Sequence, residues 1–173
     1  MKNIYLWLNK YNKEIIMESK EDLLKWYNEE YCLKAIRQDS WNLKYIKNQT
    51  EKICLEAIKQ NPYVLRFIHN PTKKMYLEAV KRNGLALQYV HNQTEKICLE
   101  AVKQDGEALK YVRNQTEEIC LEAVKQDPWT LQYIKNQTKE ICLEALNQSI
   151  EIIKHVDIKK FPKVYEKYLF MVK

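Results

Sequence analysis

Apolar positions in this chain recur in one fixed motif. Between Thr50 and Ile68, the residues Ile53, Cys54, Ala57 and Ile58 fall at i, i+1, i+4 and i+5, the apolar stripe of a helix. Leu55 widens that stripe, as in a helix touched from more than one side, and Glu56 and Lys59 take the wet face. A second, shorter apolar set follows: Leu65 and Ile68 lie three apart, with Tyr63 and Phe67 four apart beside them. The motif returns every 22 residues. Alanine stands at Ala35, Ala57, Ala79, Ala101, Ala123 and Ala145, and leucine at Leu33, Leu55, Leu77, Leu99, Leu121 and Leu143. An aromatic returns at Tyr45, Phe67, Tyr89, Tyr111 and Tyr133, with His155 closing the column.

The polar residues between these sets read as helix punctuation. Asn28, Thr50, Thr72, Thr94, Thr116 and Thr138 precede the first stripe, where a side-chain oxygen can accept an unpaired backbone N–H. Asp39, Asn61, Asn83, Asp105, Asp127 and Ser149 stand in the same relation to the second. Pro62 and Pro128 follow directly, at the first helical position that suits proline. Asn48, Asn70, Asn92, Asn114 and Asn136 are expected to close the second helix as left-handed caps. Each copy thus reads as helices of roughly 10 and 7 residues, about 15 and 10 Å long.

Helices of that size are marginal alone, so the copies must stack and bury their stripes on one another. The expected architecture is an all-α, single-domain α-solenoid over residues 1–173. Six 22-residue helix-turn-helix repeats span residues 28–157, with helical caps at both ends. Residues 1–27 form the N-terminal cap in this reading, with Ile4, Leu8, Tyr11 and Ile15 at helical spacing. Residues 158–173 form the C-terminal cap, where Pro162 starts a helix whose Val164, Tyr168 and Leu169 cover the last copy. Phe161, Phe170 and Met171 add apolar surface there, on which a second subunit could sit.

The run from Ile97 to Val112 (ICLEAVKQDGEALKYV), and its counterpart from Ile119 to Ile134, resembles the family catalogued as domain of unknown function 4116. The family is a short repeat abundant in giant-virus proteins and found in some protists and bacteria. The resemblance covers about three quarters of the chain and includes both half-units and the D-G or D-P corner. It implies the helical-repeat architecture and a viral origin, and brings no established activity. Tyr76, in the cysteine column, and Tyr31, Lys34 and Arg37 in the first copy depart from its pattern.

Composition narrows the function classes. With 2 glycines and 4 prolines in 173 residues, the chain is neither collagenous nor a flexible linker. Met1–Leu8 is too short for a signal peptide or a bilayer span, so no membrane association is expected. The expected location is the cytoplasm, of the host cell or within a virion if the protein is viral, without secretion. Cys32, Cys54, Cys98, Cys120 and Cys142 form a column whose members would lie about 9–10 Å apart on stacked helices. That is too far for a disulfide and gives no four-ligand point for zinc. They read as buried small filler in a reducing compartment. The N-x-T triplets at Asn48, Asn92, Asn114 and Asn136 are accounted for by capping rather than glycosylation. His69 and His91 share a column with Lys47, Arg113 and Lys135 and have no accompanying ligand set. No phosphate loop, nucleophile elbow or paired-carboxylate motif is present. No enzymatic activity, metal or cofactor is therefore expected.

Charge supplies the functional candidates. The formal balance is +6. First helices carry Glu56, Glu78, Glu100, Glu122 and Glu144 beside Lys59, Lys81, Lys103 and Lys125, a near-neutral ladder. Second helices carry a basic stripe of Lys44, Arg66, Lys110 and Lys154, with Lys47, Arg113 and Lys135 near their ends, opposed in those columns by Asp157 alone. Such a stripe is a candidate phosphate track. Next to it runs a variable column of Trp41, Tyr63, Leu85, Glu107, Trp129 and Glu151. Its bulky members suit protein contact, either lining a groove or buried between copies. The leading expectation is a non-enzymatic scaffold for an unknown protein partner. The alternatives are nucleic-acid binding through the stripe, and a structural component that self-assembles through its C-terminal cap.

Overall fold

The computed structural model describes residues 24–169, and these form an all-α repeat solenoid. Each copy opens with an α-helix of 10 residues: α1 (Glu29–Gln38), α2 (Glu51–Gln60), α3 (Lys73–Arg82), α4 (Glu95–Gln104), α5 (Glu117–Gln126) and α6 (Lys139–Gln148). The expected caps are in place. Asn28 Oδ1 accepts the Tyr31 N–H at 2.9 Å, and the threonine hydroxyls accept the third N–H of the other helices at 3.3–3.4 Å.

The second helices depart from expectation. They are 3-10 helices of 6 residues: η1 (Ser40–Tyr45), η2 (Pro62–Phe67), η3 (Gly84–Tyr89), η4 (Gly106–Tyr111), η5 (Pro128–Tyr133) and η6 (Ile150–His155). Their bonds run i to i+3, as from Ala108 N–H to the Asp105 carbonyl at 2.9 Å. Residues three apart eclipse in such a helix, so Leu87 stands over Gly84 on the buried side, and Leu109 over Gly106. The asparagines do not cap these helices. The closing residues are Ile46, Ile68, Val90, Val112 and Ile134 in extended conformation, and no non-glycine residue among those described has positive φ.

One residue turns the corner between the two helices of each copy. Asp105, extended at φ −155° and ψ 111°, donates its N–H to the Ala101 carbonyl and so ends α4. Its carboxylate accepts the Glu107 N–H at 3.0 Å and so begins η4. Asp39, Asn61, Asn83 and Asp127 do the same. Ser149 keeps the backbone geometry without the side-chain bond.

The core runs the length of the array through the predicted stripes: the alanine column, the Ile53–Ile58 type positions and the leucines of the second helices are buried. Substantial contacts between elements stay within a copy or join adjacent copies, the nearest-neighbour order of a solenoid. A last helix, α7 (Pro162–Leu169), packs on α6 and η6, burying Val164, while the Tyr168 hydroxyl donates to Asn147 Oδ1 at 3.4 Å. At the other end Trp26 meets Tyr31 edge-on at 5.4 Å and Tyr45 at 5.7 Å. The remainder of the cap expected over residues 1–27, like Phe170 and Met171, lies outside the described residues.

The loops joining copies are tied by a glutamine ladder. Gln115 Nε2 donates to the Tyr133 carbonyl at 2.9 Å, and its Oε1 accepts the Lys135 N–H at 3.0 Å, so one side chain splices two successive loops. Gln49, Gln93 and Gln137 make the same pair of bonds. Pro71 occupies the equivalent place in the second copy, where this splice is therefore missing. The cysteine of the next helix faces the ladder, with Cys142 Sγ 3.4 Å from Gln137 Oε1 and Cys98 Sγ 3.8 Å from Gln93 Oε1. In the copy after Pro71 that position holds Tyr76, buried where the other copies set a cysteine beside the glutamine.

The two departures should therefore behave as a unit. Gln115→Ala is expected to cost about 1–3 kcal/mol, the worth of two bonds whose backbone partners lose their splice. Pro71→Gln alone should give no gain, whereas Pro71→Gln with Tyr76→Cys should recover a similar amount. Urea midpoints of the single and double variants measure this coupling. Additive effects would contradict it.

Candidate functional site

The candidate residues all sit on the second helices and the turns that follow them, and the 3-10 geometry decides how they meet. Because residues three apart eclipse, the variable column and the basic stripe form one outward row in each copy. The pairs are Trp41 with Lys44, Tyr63 with Arg66, Leu85 with Gln88, Glu107 with Lys110, Trp129 with Gln132 and Glu151 with Lys154. Glu107 and Lys110 bond directly at 3.0 Å, and the Glu107 carboxylate raises the Lys110 pKa through that hydrogen bond. Gln88 and Gln132 instead turn back onto the Leu85 and Trp129 carbonyls at 3.0 Å.

The variable column both packs and faces solvent. Trp41 meets Phe67 of the next copy edge-on at 5.6 Å, Tyr63 meets Tyr89 at 6.2 Å, and Trp129 meets His155 at 6.1 Å. Trp41 nonetheless keeps 38 % of its surface exposed. Glu107 is exposed, and Tyr63, Leu85 and Trp129 are half-buried.

The cations lie over these rings. Lys44 Nζ is 4.7 Å from the Tyr45 centroid, Lys110 Nζ is 5.3 Å from that of Tyr111, and Lys154 Nζ is 4.7 Å from that of Trp129. The Arg66 guanidinium bridges copies, 5.3 Å from Phe67 and 5.6 Å from Tyr89. A cation over a ring face is attracted by the quadrupole and holds its place without a neutralising anion. Arg113 spends Nη1 on the His91 carbonyl at 2.7 Å, and Lys47 and Lys135 are exposed and form no ion pair among the described residues. A hollow of about 420 Å³ lies between the loops that precede α4 and α5, lined by His91, Gln93, Glu95, Cys98, Arg113 and Thr116 among others.

The opposite side differs in kind. Among the described residues every ion pair but Lys110–Glu107 lies on the first helices: Lys52–Glu29, Arg37–Glu56, Lys74–Glu51, Lys81–Glu100 and Arg82–Glu78. That face neutralises itself. The face of the second helices keeps its positive charge available.

The five cysteines are buried and unpaired. Burial pushes the Cys54, Cys120 and Cys142 thiols up to about 11 from an ordinary 9.0, with Glu117 adding at Cys120. Cys98 and Cys32 are raised mainly by burial as well. The thiolate is thus the disfavoured form in the folded state. The resulting stabilisation is complete below the unfolded thiol's value of about 8.5 and is lost as pH rises towards 11. The urea midpoint is expected to fall between pH 9 and 11, and to fall less in a variant with alanine at Cys54, Cys120 and Cys142. Equal declines would contradict this reading. Among the described residues no three His, Cys, Asp or Glu side chains gather as a metal site, and no helix is long and apolar enough to cross a membrane.

The glutamine ladder went unread in the sequence, although its signal was there. The middle residue of each N-x-T triplet is glutamine, and the column breaks only at Pro71. A family model described as Domain of unknown function (DUF4116) matches the chain three times, over residues 28–71, 72–115 and 116–164. Each match spans two copies and opens on a helix cap, Asn28, Thr72 or Thr116, and the third runs into α7. Searches among curated proteins and among solved structures returned no match.

Proposed function

This chain belongs to the family described as Domain of unknown function (DUF4116), and from that premise we propose that it is a non-enzymatic scaffold holding a partner protein along its second helices. The observation that carries this reading is the asymmetry of charge. The first helices carry 12 acidic and 12 basic residues and sum to zero, whereas on the second helices and their turns cations outnumber anions, with Lys44, Arg66 and Lys154 resting on aromatic rings. Exposed aromatic and arginine groups at the centre of a surface are what binding hot spots are made of. Crosslinking coupled to affinity capture from native cells tests the proposal. Partner crosslinks should map to the row from Trp41 to Lys154 and vanish when Lys44, Arg66 and Lys154 are changed to glutamate. Crosslinks confined to the first helices, or insensitive to that reversal, would rule it out.

A second reading, nucleic-acid binding, draws on the exposed Lys47 and Lys135, which form no ion pair among the described residues, and on the +6 balance. It requires retention on a polyanion at ~50 mM salt and release by ~200 mM.

A further inference from the structure

Resting on the scaffold reading, we propose that the occupant of this face is an extended, acidic stretch of polypeptide with a carboxylate at about every third residue. Stacked helices step by about 8–10 Å. An extended chain advances about 3.3 Å per residue and a polyproline-II chain about 3.1 Å, so three residues span one copy. A carboxylate at that interval would meet Lys44, Arg66, Lys110 and Lys154 in turn. The side chains between would lie on Trp41, Tyr63 and Leu85, while Lys154 covers Trp129. At the copies where the row carries Gln88 and Gln132 the amides bond back to their own helix, and an uncharged residue suffices there.

The same features disfavour a nucleic acid on this face. Duplex DNA presents a charge every ~1.7 Å, far denser than the row can match. Glu107, Glu151 and Asp157 would sit against phosphates that recur at every nucleotide, whereas a polypeptide with a carboxylate at every third residue sets its uncharged side chains against Glu107 and Glu151. Bases bind single-strand readers by stacking on open ring faces, and here Lys44, Arg66, Lys110 and Lys154 occupy positions over the rings.

The test uses the full chain and two synthetic peptides of about sixteen residues, equal in composition. One carries glutamate at every third position among serine and leucine, the other carries its glutamates in one block. Binding is followed by the fluorescence of Trp41 and Trp129, with Trp41→Phe/Trp129→Phe as the control that should lose the signal. The spaced peptide should bind several-fold more tightly than the blocked one. Lys44→Glu/Arg66→Glu/Lys154→Glu should weaken it about tenfold or more while leaving the helical circular dichroism intact, since each exposed pair lost weakens binding by up to about fivefold. Equal binding of the two peptides, or tighter binding of a DNA oligonucleotide, would overturn the proposal. If neither peptide binds yet native crosslinks still map to the Trp41–Lys154 row, the acidic-segment assignment fails and the scaffold reading stands. Crosslinks on the first helices would remove both.

Discussion

Leu109→Ala is expected to cost about 3–5 kcal/mol and to split the unfolding of the array. Leu109 is fully buried in η4, among α4, α5 and the neighbouring second helices. Truncation removes the transfer energy of the side chain and leaves a cavity that stacked short helices on both sides cannot close without losing their own contacts. The cost is aggravated by topology. Each copy is held only by its neighbours, so a defect in the fourth copy weakens two interfaces between copies at once, whereas Ile153→Ala in the sixth weakens one such interface and the packing of α7, and mainly frays the end. Urea titrations should show a lower midpoint and a reduced slope for Leu109→Ala, because the two halves no longer unfold together. A smaller loss at 109 than at 153 would contradict nearest-neighbour stacking.

The second large effect is expected at Gly84. A Cβ there would overlap the Ala101 carbonyl oxygen of the next copy, and one on Gly106 would lie 2.8 Å from that of Ala123. Neither glycine has positive φ, so the requirement is proximity and not backbone freedom. Together with Ala86 and Ala108, these glycines let η3 and η4 approach more closely than any other pair of second helices. Gly84→Val must push α4 away from η3, and overpacking against backbone costs about 1–3 kcal/mol or more. Gly84→Ala should cost less, and both should lower the melting temperature. Unchanged melting of Gly84→Val would mean that the helices part freely. Ser40, Pro62, Pro128 and Ile150 stand at the same place in the other copies.

Much of this architecture was legible because each signal was repeated six times. The corner residues illustrate why. Asp105 and Asn61 could be read as caps in isolation, and their recurrence at one interval removed the ambiguity. The family match over residues 28–164 agrees with the solenoid read from the caps and stripes. The type of the second helix was not legible. An apolar pair three apart, such as Leu65 and Ile68, suits an α-helix and a 3-10 helix equally, and the choice follows from having only six residues between two extended ones. The merging of Trp41 and Lys44 into one row followed from that choice and was missed with it. The ladder was obscured for another reason: Gln115 bonds to residues 18 and 20 positions away. Local patterning is blind to such a partner.

The gap at Pro71 has a mechanical consequence. Gln49, Gln93, Gln115 and Gln137 sew loop to loop elsewhere; between the second and third copies the loop side keeps the exposed Lys74–Glu51 ion pair at 2.8 Å in place of the splice, and bonds to backbone and amide run along the opposite edge. There Arg82 Nη1 donates to the Lys59 carbonyl at 3.0 Å and Asn83 Nδ2 to the Tyr63 hydroxyl at 3.1 Å. A joint stitched along one margin bends about that margin. Twisted or pulled lengthwise, the rod should yield there first, folding like a book whose spine runs along the corners.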